Sequence, residues 1–265
     1  MDQIKTNRWI ARIVIIGWLF GWYVKGCFYY PYLTHTVYQY PVTHPLFPNL
    51  FLDPNLSTVS YFLPLVAGVT LFSRRRLNFC LISGILLICS MMLTLHIDTY
   101  NDATFVTSFW VALWLLWFSL SLDRTDEALR RHGRKLAQCI VGLIFLGGFA
   151  GKLTAGYWSG EVIYNIFLST KDTPVGTILN VFPAELRPVI TMYISRTIIA
   201  GELILALSPF LSYRLVAVLA AAVFSIMTLF STWRIMSVNS SLMGMLLGCW
   251  LWEKFERQKM SGNPQ

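Results

Sequence analysis

Charge is scarce in this chain. Asp, Glu, Lys and Arg make up only 13% of its residues, about half the roughly 25% typical of a soluble domain. With 55% hydrophobic residues and a mean hydropathy of +0.57, that scarcity makes lipid the main solvent. Acidic residues are scarcer than basic ones, 13 against 21, which leaves a net charge of +8. The cations gather in short segments between apolar runs, where they orient helices, so no nucleic-acid partner is expected. Cysteine occurs five times, at 27, 80, 89, 139 and 249, with no C-x-x-C pair. Most of these lie in apolar runs and read as small core residues, with neither metal site nor structural disulfide expected. His35, His44, His96 and His132 lack metal-ligand spacing. No phosphate loop or nucleophile elbow occurs. No cleavable signal is expected either, since the first apolar run ends in Lys25, Gly26 and bulky aromatics.

What is present is a series of apolar runs, each about 17–25 residues and able to cross a core of roughly 30 Å. The spans expected are about 9–29, 57–73, 77–97, 104–122, 136–155, 188–210, 213–231 and 236–252. The fold class is all-α: a polytopic transmembrane helix bundle of about eight spans in a single domain, residues 1–265, with short interfacial helices between spans five and six. The connection 31–56 holds five prolines, which exclude a long continuous helix there. Residues 157–186 carry Lys171, Asp172, Pro174 and Pro183 and are too interrupted to cross. The sixth span opens on Pro188, a favourable first-turn residue, and the tail from Glu253 is polar. Nearly all loop cations fall on one side: the N-terminus, 74–76, 123–135, Arg214 and the tail. The positive-inside rule places that side, with both termini, in the cytoplasm.

Polar groups inside or beside the spans are where chemistry can reside. Lys152 ends the fifth apolar run, after Gly147, Gly148 and Gly151 and before Tyr157 and Trp158. A lysine at the bilayer centre costs roughly 2.5–3.5 kcal/mol, which makes it a functional candidate, although it can also snorkel to the surface. Arg196 and Glu202 both lie within the sixth span, so both should face protein or water. Six residues separate them, roughly 240° around a helix, so they do not share a face. Lys152 is a natural partner for Glu202, and a purely structural ion pair is the competing role. Asp98, Asn101 and Asp102 form a turn before the fourth span. The stripe Trp110, Trp114 and Trp117 reads as packing or lipid-facing surface rather than a quinone slot. The run Arg130 to Lys135 reads as a topology signal in contact with anionic lipid.

The residues Phe149-Ala150-Gly151-Lys152-Leu153, followed by Trp158-x-Gly160-Glu161, resemble the lysine motif of the vitamin K-dependent gamma-carboxylase family. That motif lies in a multi-span membrane (HTTM) domain. In that family the lysine before leucine is the catalytic base, and the matching position here is Lys152; the preceding lysine is Gly151. Tyr100-Asn101-Asp102 resembles the family's Asn-His segment, with Asp102 in place of the histidine, and Asn239-Ser240-Ser241-Leu242 resembles an Asn-Ser-x-Leu segment. Glu202 falls near a family carboxylate. The likeness covers about residues 9–252.

The resemblance implies chemistry on a reduced quinone, akin to vitamin K hydroquinone, deprotonated by Lys152. Lys152 and Asp102 are then the expected catalytic residues. Asn101, Trp158, Glu202, Asn239 and Arg196 are the expected substrate-binding ones. They would line an outward cavity among spans four, five, six and eight, where Gly147, Gly148 and Gly151 leave room for a flat ligand. An amine acts as a base only when neutral; apolar burial favours that form and a nearby carboxylate opposes it. The chain ends soon after the eighth span, so the family's large lumenal part is not expected, and protein carboxylation is not the activity anticipated. Three function classes follow. One is a carboxylase- or epoxidase-like enzyme acting on a hydroquinone or other lipid-soluble molecule. Another is a non-catalytic accessory protein for a redox or peptide-export system. The third, a small transporter using Arg196 and Glu202, lacks the repeat many transporters carry. Partners are membrane lipids, with a lipid-soluble substrate or a membrane protein.

Overall fold

The long apolar runs form helices throughout, as lipid demands of a backbone that must satisfy its own hydrogen bonds. The computed structural model describes residues 3–35, 54–69, 75–95, 103–124, 127–165, 174–230 and 236–260, and among these there is no strand. The helices are α1 (Gln3–His35), α2 (Pro54–Ala67), α3 (Arg76–Leu95), α4 (Ala103–Leu120), α5 (Glu127–Gly151), α6 (Ala155–Ser159), α7 (Glu161–Ile163), α8 (Pro174–Leu179), α9 (Arg187–Ala206), α10 (Tyr213–Phe230) and α11 (Met236–Met260). Four of them, α3, α4, α5 and α9, are long and apolar enough to cross a membrane. Shorter apolar stretches lie at Asn55–Ala67, Tyr213–Val223 and Ser240–Trp252.

Several expected boundaries move. The first span, 9–29, is part of a 33-residue helix that runs through Pro31 to His35, so the connection begins later than its first proline. A proline near a helix end removes one backbone bond, and the helix tolerates that loss. The charged stretch before span five is not all loop: residues 127–135 are the first turns of α5. That helix stops at Gly151, short of the expected 155. Of the second span, residues 70–73 lie outside the described residues. The polar tail continues α11 to Met260. The short helices expected between spans five and six are α6, α7 and α8.

The chain divides into two compact units, Met1–Ala137 with Ser237–Gln265, and Gln138–Met236. The first is built on tryptophans. Trp18, Trp22, Trp114 and Trp252 are fully buried, and each indole N–H finds an acceptor. Trp18 donates to Ser108 O at 2.8 Å, Trp22 to Tyr61 O at 2.9 Å, Trp114 to Gly133 O at 2.9 Å and Trp252 to Asn7 Oδ1 at 3.1 Å. Large apolar rings thus fill the core without stranding a donor. The stripe on α4 splits accordingly: Trp114 is core, and Trp110 and Trp117 are half-buried. Helices α1 and α11 meet backbone to backbone: a Cβ on Gly17 would lie 2.9 Å from Gly244 Cα and from Ser240 O. Such close approach through small residues is how helices associate without help from water. At one end of the unit, Asn7 Nδ2 donates to Leu122 O and Arg124 O, both at 3.0 Å, and Asp123 sits 3.7 Å from both Arg8 and Arg76.

The second unit is a ladder between α5 and α9. Gln138 Nε2 donates to Leu211 O at 2.7 Å and Ser208 O at 3.2 Å, and Ser208 Oγ returns a bond to Gln138 O at 2.6 Å. Ten residues back from Lys152, Gly142 lets Pro209 Cδ come within 2.8 Å of where a Cβ would be. Higher still, Gly148 faces Glu202.

Candidate functional site

The chain leaves its helical path after Gly151, and Lys152 is the first residue beyond α5, its amide bonded to Phe149 O at 3.0 Å. The side chain turns back along the helix. Lys152 Nζ donates to Glu202 Oε1 at 2.8 Å and lies 3.4 Å from Gly148 O, one of the carbonyls a helix end leaves without an intrahelical partner. It also stands 5.7 Å from the centre of the Tyr157 ring. A cation at the carboxyl end of a helix is favoured by the helix dipole, so this position suits an ammonium twice over.

Glu202 comes from the fifth turn of α9 and is only 8% exposed. Oε1 is bonded to Lys152, and Oε2 is buried with no hydrogen-bond partner. A Cβ on Gly148 would lie 3.2–3.3 Å from the carboxylate. This corrects the expectation that Gly148 leaves room for a ligand, because the Glu202 carboxylate fills that room. Gly147 and Gly151 do face open space: a Cβ at either meets nothing within 4 Å.

Arg196 does not join the pair. Its guanidinium lies 5.1 Å from the centre of the Trp158 ring, and Nε donates to Trp158 O at 3.3 Å. Trp158 is half exposed. The neighbouring Ser195 hydroxyl donates to Tyr157 O, so two consecutive residues of α9 hold two consecutive residues of α6. Gly160 completes the corner between α6 and α7, with φ +84° and its Cα side pressed on the backbone of Thr191 and Met192.

The structure thus brings Lys152, Glu202, Tyr157 and Gly148 together and places Trp158 with Arg196 beside them. The expected approach of Asn101 and Asp102 to Lys152 falls on residues 96–102, outside those described, as does Asp98. Asn239 lies on α11, in the other unit, and its side chain is outside the described residues. Among the described residues no three of His, Cys, Asp and Glu come together. Sequence reasoning missed Gln138 as the clasp at the other end of the ladder. Its signal was present, since Gln138, Gly142, Phe145, Gly148 and Lys152 recur at three- and four-residue steps along one face.

No protein-family model, no curated protein and no solved structure matches this chain. The likeness to the carboxylase family therefore stands on the short sequence motifs alone.

Proposed function

We propose that this chain is a multi-pass membrane protein that holds a lipid-soluble molecule with a hydroxyl or carbonyl head at the Lys152–Glu202 pair. A reduced quinone is the substrate class we propose. The observation that carries the reading is the pair itself, an ammonium and a buried carboxylate 2.8 Å apart within apolar helices. Intramembrane ionisable groups of this kind are costly and mark functional sites. The proposed place for its ring is the face at Gly147 and Gly151, where a Cβ would meet nothing within 4 Å. Lys152 would act as the base, for which its amine must be neutral. Glu202 provides the route: the proton on Nζ passes along the short hydrogen bond to Oε1, leaving a neutral amine and a neutral acid. Trp158 and Arg196 would flank the entrance. The proposed topology has eight spans with both termini cytoplasmic, because those segments hold the cations. Cysteines introduced at Ser73 and Asp123 are expected to label only from the cytoplasmic side, and outside labelling at either one would overturn that topology.

A second reading, a non-catalytic accessory protein, is favoured by the same short contact, since an ion pair of this kind also ties two segments of a bundle together. Purification in detergent followed by mass spectrometry of bound lipids and quinones separates the two. A co-purifying quinone supports the first, and a stoichiometric membrane-protein partner the second. Lys152→Arg then tests the base: arginine keeps the charge but does not give up its proton. Loss of quinol turnover with the fold intact is expected. Full turnover in Lys152→Arg would end the enzyme reading and leave the accessory one.

A further inference from the structure

Two landmarks set the height of the pair along α5 and α9. The first is the clasp of Gln138 with Ser208 and Leu211. It lies just inside two sets of cations: Arg134 and Lys135 precede Gln138 within α5, and Arg214 follows Leu211 at the start of α10. Such cations mark a membrane face. The second is Lys152 Nζ, which reaches back to the level of Gly148. At 1.5 Å per residue, Gly148 stands only about 15 Å above Gln138, half of a roughly 30 Å core. Beyond Gly148, α5 adds only about 5 Å before it stops at Gly151.

Helix α9 does not stop there. From Glu202 it continues for about 22 Å to Arg187, and α6 and α7 pack along this outer half through Tyr157, Trp158 and Gly160. We infer that the Lys152–Glu202 pair lies near mid-bilayer, at the floor of a water-filled recess opening on the α6 side. The recess follows from the break in the helix. Gly151, Leu153, Thr154 and Ala155 are exposed, Leu153 by 57%. Irregular backbone at membrane depth is tolerated only where protein buries it or water reaches it.

This inference rests on α5 and α9 entering the membrane and not on Lys152 being a base, so its test needs no activity. The alternative puts Lys152 at the outer boundary and the outer half of α9 in water. Single cysteines at Leu203, Thr197 and Tyr193, all exposed, carry nitroxide labels in a chain whose five native cysteines are replaced by serine. In phosphatidylcholine–phosphatidylglycerol vesicles, the ratio of oxygen to nickel-complex accessibility is expected to be highest at Leu203 and to fall toward Tyr193. Thr197, about 8 Å beyond Glu202 along the helix, is expected to remain in lipid. An aqueous nickel accessibility at Thr197 would overturn the mid-bilayer placement of the pair. A lipid-dissolved diazirine applied to the unaltered protein gives the same answer without substitutions: label on peptide 193–200 supports the inference, and its absence there overturns it. Hydrogen exchange of the unaltered protein in vesicles tests the recess, with the amides of 153–155 expected to exchange within seconds. Protection of those amides beyond minutes would overturn the water-filled recess.

Discussion

Gly160→Ala is expected to lower the stability of the second unit by about 2–5 kcal/mol, from a left-handed backbone penalty of about 1–2 and a packing clash of about 1–3. Gly160 has φ +84°, and a Cβ there would lie 2.6 Å from Met192 N and 2.7 Å from Met192 Cα and Thr191 C. The obstruction is backbone of α9, which cannot rotate away as a side chain would. Gly147→Ala and Gly151→Ala serve as controls, because a methyl group at either position meets nothing within 4 Å. Thermal unfolding in detergent should place Gly160→Ala well below both. Equal midpoints for all three would show that the corner between α6 and α7 is not packed on α9 as described.

Lys152→Met is expected to destabilise the same unit by about 3–5 kcal/mol, because it strands a buried carboxylate. The penalty is asymmetric. Glu202 is 8% exposed and its second oxygen already has no partner, so it has nowhere to take its charge. The Lys152 side chain is 21% exposed and sits on a flexible stem, so Glu202→Gln should cost less, since the ammonium can move toward water. Replacing both, as Lys152→Met with Glu202→Leu, should recover most of the loss by removing the charges together. A double variant no more stable than Lys152→Met would show that the two side chains do not depend on each other. Arg196→Gln belongs to a different class. The sequence set Arg196 and Glu202 on different faces of the span, as equal burdens on it. In the fold it lies on the half-exposed Trp158 ring, where such a contact is worth about 0.5–1 kcal/mol.

The positions of the helices were legible because lipid imposes one rule on every residue of a span. Apolar runs from Leu77, from Thr104 and from Pro188 could be read directly and became α3, α4 and α9. Where the rule weakens, so did the reading. Residues 127–135 are charged and helical at once, and polarity alone cannot separate a wet helix from a loop. Proline was over-weighted at position 31, where the helix passes through.

Composition, helix positions and the partnership of Lys152 with Glu202 were therefore determined by the sequence, the last because two lone opposite charges in apolar helices have few alternatives to each other. Three things were decided only by the tertiary structure. Gly148 is filled by the Glu202 carboxylate instead of standing open, Arg196 is held by Trp158 on α6, and α5 gives out at Gly151 beside a helix that runs on. Each depends on the height at which α9 lies against α5, set by the Gln138–Ser208 clasp seventy residues apart in the chain. Hydropathy reports how apolar a segment is, but it carries no information on how far one helix slides along another.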